Sequence, residues 1–174
     1  SMSDFAKSSL LGLITNLPNV YLSFTIADCT AIYLFDPIKN VVGLLHAGWK
    51  GLRDDIIKNA VSLMQENFNC DVGDILVGIS PLICGNCYEV QPEFLNNFSE
   101  YPEAFINKDN KIFFDSKYVL LKKIQSLGIK EGNIEFIDEC TYCLKDKYFS
   151  YRRDQYGCDP NDIRAMMAVI GFKN

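Results

Sequence analysis

The sequence is poor in the residues that most often announce a function. It holds a single histidine, His46, and a single tryptophan, Trp49. One imidazole excludes a His-rich zinc centre or a multicopper centre built from one chain, and imidazole catalysis can use only His46. Basic charge is not in excess: 17 Lys and Arg stand against 22 Asp and Glu, a net charge of −5 at pH 7. That balance argues against a nucleic-acid partner. Long apolar runs are missing too. Val41 to Leu45 is among the longest, far short of the roughly 20 residues that cross a bilayer, so no membrane partner is expected. No basic end leads into an apolar core and a small-residue cleavage site, so secretion is unsupported and a cytoplasmic protein is expected. Ser1-Met2 reads as a cloning remnant.

What is present fits one folded domain. The length is 174 residues, with 48% hydrophobic and 22% charged side chains, enough to bury a core and too apolar for disorder. Seven cysteines are an odd number, and a chain of this size needs no staples, so reduced thiols fit better than a disulfide framework. Residues 1–11 read as remnant and leader, and 12–174 as the domain.

Period and turn chemistry predict alternating strands and helices. Val20 to Ala27, Ala31 to Phe35 and Val41 to Leu45 read as strands, the last two joined by an Asp36 to Asn40 turn. Leu52, Ile56, Ala60 and Leu63 then recur at helical spacing, and Asn67 to Cys70 ends that helix. Ile75 to Ile79 is a short buried strand, Pro92 to Phe98 a short helix, and Tyr101 to Lys111 a polar surface loop. Asp115 caps a helix carrying Leu120, Leu121, Ile124 and Leu127, with Gly128 as its stop. Ile134 to Ile137 and Tyr148 to Tyr151 read as strands, and Ala165 to Ile170 as strand or helix. The expected fold is α/β, a single domain with a mixed sheet and flanking helices.

Four groups of residues can carry chemistry. Ala27-Asp28-Cys29 ends one strand, where an isolated cysteine is more often a small buried hydrophobe than a functional group. His46-Ala47-Gly48-Trp49-Lys50-Gly51 lies between a strand and a helix, a place where ligands collect in α/β sheets. Its glycines allow close backbone approach, and the helix start offers unpaired N–H groups to an anion. Against this, a lone histidine beside a tryptophan is more often a core residue. Cys29 and His46 sit at the ends of neighbouring strands, and a thiolate with a neutral imidazole suits either zinc or a nucleophile with its base. Ser80 to Val90 contains Cys84 and Cys87, and Cys140-Thr141-Tyr142-Cys143 precedes Phe149 to Asp154. Two Cys-x-x-Cys pairs suggest a structural zinc site. Residues 88–139 separate them, far beyond the roughly 15–20 of a compact zinc ribbon, although distant pairs can converge in a fold. Arg152 and Arg153 are candidate anion clamps, with a surface pairing to Asp154 as the plainer reading. If the segment is a strand, one of the two faces the site.

Taken in order, Ala27-Asp28-Cys29, His46 to Gly51, Cys87-Tyr88-Glu89-Val90, Cys140-Thr141 and Phe149 to Asp154 resemble the laccase-domain or YfiH family. It was formerly called the multicopper polyphenol oxidase family and is also known as a purine nucleoside phosphorylase family. The similarity runs from about Gly12 to the C-terminus. It implies an α/β protein whose zinc ion is held by a cysteine and two histidines, with Cys29 and His46 matching one of each. It implies zinc-dependent phosphorolysis of adenosine, inosine or guanosine with phosphate, together with deamination of adenosine. Purine nucleosides and phosphate are the implied partners, as monomer or homodimer. Gly48, Trp49, Lys50, Gly51, Arg152 and Arg153 become candidates for binding phosphate and substrate. The family's other histidine lies in a Gln-x-His-Gly motif upstream of the position matching Gly12, and no such motif occurs here. Impaired activity is therefore expected of these 174 residues. Cys84, Cys87 or a neighbouring chain are candidate third ligands. Further readings are a metal-free cysteine hydrolase or amidase using Cys29 and His46, cell-wall precursor editing, and a degenerate nucleoside-binding domain.

Overall fold

The computed structural model describes residues 11–154 and 164–173. Of residues 1–11, read as remnant and leader, residues 1–10 lie outside the described residues, as does the seventh cysteine, Cys158. Strand β1 (Leu11–Thr15) pairs antiparallel with a strand at Val41–Ala47, placing Leu11 opposite His46.

The chain continues through β2 (Leu22–Ile26), β3 (Thr30–Asp36) and β4 (Val41–Ala47). Asp36 makes the β3–β4 turn: its Oδ1 accepts from the amides of Ile38 and Lys39, and Asn40 takes the left-handed conformation that asparagine tolerates. Strand β5 (Leu76–Ile79) pairs antiparallel with β3, and β9 (Ile134–Phe136) pairs parallel with β5. The central sheet is thus mixed, as expected, in the order β1-β4-β3-β5-β9.

Alternation along β3 and β4 divides two cores. Ile32, Leu34, Val41, Leu45 and Ala47 pack against α1 (Trp49–Arg53), α2 (Ile56–Phe68) and α3 (Ser116–Ser126). Ala31, Val42 and Leu44 turn the other way, onto a two-stranded ribbon of β2 and β10 (Met166–Ile170). With both faces covered, β3 and β4 read as continuous apolar runs. Cys29 and His46 have the parity of Ala31 and Leu44, so both belong to the ribbon side.

Three expectations need correction. Leu52 to Leu63 is two helices: α1 ends at Arg53 with Asp54 as its C-cap, and Asp55 stands in the left-handed region before α2. An ion pair from Lys123 on α3 holds Asp55 there. Tyr101 to Lys111 is no loop. A 3₁₀ turn at Pro102–Ala104 leads into β7 (Phe105–Lys108), which pairs with β8 (Lys111–Phe114). Asp109 and Asn110, both at positive φ, form the tight turn, and β6 (Glu89–Val90) joins the other side of β8. Tyr148 to Tyr151 is not a strand. The helix α4 (Tyr151–Asp154) starts there, with the Ser150 hydroxyl accepting from the Arg153 amide and Asp154 Oδ2 accepting from the Ser150 amide. That reciprocal cap overrides the β propensity of the flanking aromatics.

Phe114 anchors the helix-side core. It is wholly buried, with ring centroids 4.6 Å from Phe98, 5.0 Å from Phe94 and 5.2 Å from Phe105. Asp115 follows immediately and caps α3 by accepting from the Tyr118 amide. Phe114→Ala should cost about 3–5 kcal/mol of stability, read as a lowered urea midpoint. A loss below about 1 kcal/mol would show that the site collapses without a cavity.

Candidate active site and a cysteine cluster

A cleft of about 930 Å³ opens where β2 and β4 end and β3 and β10 begin. Asp28, Cys29, His46, Gly48, Trp49, Tyr88, Phe94 and Arg152 are among its lining residues. The two strands bring Cys29 and His46 together. Thr30 opposes Ala47 and Ala31 opposes His46, so Cys29 continues toward Gly48. A Cβ on Gly48 would stand 3.0 Å from the Cys29 sulfur, which makes this glycine a matter of room for that sulfur, since its φ of −80° suits any residue.

Electrostatics sets the protonation of both groups. Burial, with the Asp28 carboxylate beside it, pushes the Cys29 thiol up to about 11. Burial lowers His46, so its imidazole is neutral near pH 7. A bare Cys29 thiol is therefore protonated and not activated as a nucleophile; a facing cation would reverse this. Among the described residues, no third His, Cys, Asp or Glu groups with these two as possible ligands.

One wall of the cleft is aromatic. Trp49 meets Phe94 edge-on at 5.2 Å, and Tyr88 meets Phe94 at 6.2 Å. The Arg152 guanidinium lies 5.4 Å over the Tyr88 ring and donates from Nη1 to the Glu89 carbonyl. Tyr88 and Phe94 were not singled out in the sequence as site residues. The only signal was the position of Tyr88 inside Cys87-Tyr88-Glu89-Val90.

Asp28 ties the two sides together. At φ 72° its carboxylate accepts from the Thr141 hydroxyl at 2.7 Å, the Ser150 hydroxyl at 3.0 Å and the Arg152 amide at 2.7 Å. Its own carbonyl accepts from the Ile83 amide at 3.2 Å.

Three candidates do not line the cleft. Lys50 is exposed, its ammonium 5.5 Å over the Trp49 ring, and Gly51 is buried inside α1 against Ile56. Arg153 donates to the carbonyls of Thr141, Tyr142 and Tyr148 and pairs with Asp154, so its fork braces the 141–154 segment. Because α1 is one short turn, its start does not provide the extended anion site that the sequence pattern suggested.

The two Cys-x-x-Cys pairs do converge. The sulfurs of Cys84, Cys87, Cys140 and Cys143 lie within 4.8 Å of one another and can hold a metal ion. Cys84 and Cys87 are therefore engaged with each other and with Cys140 and Cys143, and neither groups with Cys29 and His46 as a third ligand.

Comparison with known proteins places these features in context. Residues 6–171 match the family model described as multi-copper polyphenol oxidoreductase laccase. The chain is 37% identical over 157 residues to a purine nucleoside phosphorylase of Clostridium acetobutylicum, covering 87% of this chain and 65% of that protein. It is 30% identical to the purine nucleoside phosphorylase YlmD of Bacillus subtilis, covering 93% of this chain and 58% of the relative. It thus spans less than two thirds of either relative. Among solved structures, YlmD of Geobacillus stearothermophilus superposes with a TM-score of 0.85 at 29% identity, covering 95% of this chain and 62% of that one. The YfiH protein of Bacillus licheniformis gives 0.83 at 32% identity, covering 93% and 61%.

Replacing Asp28 by Asn puts an NH₂ where an acceptor is needed, and the fixed Arg152 amide cannot turn away. Asp28→Asn should cost about 1–3 kcal/mol. Amide hydrogen exchange should quicken across 140–154 while β3 and β4 stay protected. Unchanged exchange in that segment would show that the carboxylate is not what holds it.

Proposed function

The chain belongs to the multi-copper polyphenol oxidoreductase laccase family, and we propose that its cleft binds purine nucleosides and phosphate and runs zinc-dependent phosphorolysis, with adenosine deamination as a second reaction. The observation that carries this reading is the convergence of Cys29, His46, Arg152 and an aromatic wall on one cleft. Relatives bearing the name purine nucleoside phosphorylase, at 37% and 30% identity, support the substrate class. The copper chemistry in the family's older name does not suit a chain with one histidine.

Cys29 and His46 fit zinc as two donors of a three-ligand site, since thiolate and neutral imidazole are its usual ligands. The third donor then lies outside the described residues. When bound, zinc supplies Lewis-acid chemistry, including a lowered pKa for water in hydrolytic deamination.

The chain's own residues account for the rest. Tyr88, Trp49 and Phe94 take the faces and edges of the base, for which stacking is sequence-tolerant and favourable. Arg152, held by its backbone and by Glu89, offers a fixed guanidinium to phosphate. In phosphorolysis a phosphate oxygen forms the bond to C1′ as the C1′–N9 bond breaks. The base leaves with the electron pair and takes up a proton, giving free purine and ribose 1-phosphate. Fixing phosphate and nucleoside side by side supplies the orientation such a displacement needs. The metal-free hydrolase reading is less well supported, because among the described residues nothing around Cys29 lowers its thiol.

The test is release of free base from inosine and adenosine, with and without phosphate, in the presence of zinc. Phosphate-dependent release is expected, slower than in the longer relatives because the described residues provide two donors. Cys29→Ala should reduce it by about 100-fold or more. Release that ignores phosphate, or survives in Cys29→Ala, would overturn the proposal. Rapid iodoacetamide labelling of Cys29 that zinc does not slow would favour the thiol-enzyme reading instead.

A further inference from the structure

A second feature is chemically independent of the cleft. Four thiols from two distant segments meet at one point: Cys84 and Cys87 after β5, and Cys140 and Cys143 after β9. Their convergence follows from the sheet. Strands β5 and β9 are parallel neighbours, and the pairing runs past their ends as a parallel bridge between Leu82 and Cys140. Each segment then turns tightly. The amides of Cys87 and Tyr88 donate to the Cys84 carbonyl, and the Leu144 amide donates to the Cys140 carbonyl. A tight turn between the members of a Cys-x-x-Cys pair brings both sulfurs to the same side, the arrangement used to grip a tetrahedral ion.

We propose that Cys84, Cys87, Cys140 and Cys143 bind one structural Zn²⁺ as a tetrathiolate, separate from any metal held by Cys29 and His46. The spacing is right. Zinc–sulfur bonds of about 2.3 Å in a tetrahedron put sulfurs about 3.8 Å apart. Here all four lie within 4.8 Å, with Cys87 and Cys143 at 3.4 Å, so closure needs only small side-chain movement. The outer contacts suit anionic sulfur. The Cys84 amide donates to the Cys140 sulfur at 3.3 Å, and the Asn86 amide donates to the Cys84 sulfur. The Arg153 guanidinium donates to the carbonyls of Thr141 and Tyr142, setting positive charge on the backbone of the second knuckle. The first knuckle is tailored for close packing. A Cβ on Gly85 would come within 2.9 Å of the Asp115 Cβ, so the turn is pressed onto the cap of α3.

Binding needs no oxidant: each thiol gives up its proton to solvent and its sulfur lone pair to the ion. A soft all-sulfur donor set selects zinc or iron over hard cations, and zinc is redox-inert, as a purely structural role requires. The ion would lock two loops that flank the cleft. Tyr88 directly follows Cys87, and the segment after Cys143 carries Ser150 and Arg152. Here the metal substitutes for core packing. Around the second knuckle, Tyr142, Cys143 and Leu144 are all exposed and cannot be fixed by burial.

The proposal is tested on the full chain purified under reducing conditions, with metals counted by plasma mass spectrometry. Wild type, Cys29→Ala, Cys87→Ser and Cys143→Ser are compared. The loss of about one zinc per chain is expected in each of the last two, while Cys29→Ala retains that zinc. Loss confined to Cys29→Ala would overturn the proposal, as would iron in place of zinc. If the serine variants fail to fold, wild type alone decides. Native iodoacetamide labelling followed by peptide mass spectrometry should find Cys84, Cys87, Cys140 and Cys143 protected together, and labelled together once an organomercurial displaces the zinc. Labelling of these cysteines before displacement, or recovery of Cys87 joined to Cys143 as a disulfide, would refute it.

Discussion

The cleft depends on one half-buried carboxylate. Asp28 sits in the left-handed region at the turn between β2 and β3, a conformation that aspartate tolerates better than most residues. From there it accepts from two fully buried hydroxyls, Thr141 and Ser150, and from the Arg152 amide, partners more than 110 residues away in sequence. Each of those donors would carry a desolvation cost if left unpaired. Cys29 follows Asp28 in the chain and Arg152 is one of its partners. A single side chain thus fixes the spacing between the sulfur on one side of the cleft and the guanidinium on the other.

The sheet explains why the chemistry gathers at this end. Strands β3 and β4 are covered on both faces, by helices on one and by the β2–β10 ribbon on the other. Polar groups along their middles would be buried without partners, so reactive side chains can sit only where the strands run out. Cys29 lies just before β3 and His46 close to the end of β4, both facing the ribbon and open to the cleft. The same logic places the four-cysteine cluster. It lies beyond the ends of β5 and β9, where the exposed 142–147 segment has little apolar surface to hold it.

The two arginines show how alike neighbours in sequence can divide their work. Arg152 stacks on Tyr88 and lines the cleft, while Arg153 spends its fork on three carbonyls and on Asp154. The division does not come from strand alternation, since both lie on the single turn of α4. It comes from where their partners lie, Tyr88 and Glu89 on one side and the 141–148 backbone on the other.

Period and turn chemistry in the sequence determined β2, β3, β4, β5, β9 and α3, and α2 without its break from α1, because each is long or apolar enough for local pattern to match its burial. Ordered motifs determined the family and marked Cys29 and His46. The sequence by itself did not determine the β7–β8 hairpin, whose Asp109-Asn110 turn lacks glycine and whose exposed residues look like loop. Nor did it determine α4, whose cap lies in a reciprocal Ser150–Asp154 contact. Only the tertiary structure decided which arginine lines the cleft, that Asp28 bridges to Thr141 and Ser150, and that Cys84 and Cys87 meet Cys140 and Cys143. All three depend on contacts between segments far apart in the chain. Residue identity records what a side chain can bond to, but only the pairing of β5 with β9, and the turn after β2, determine what it meets.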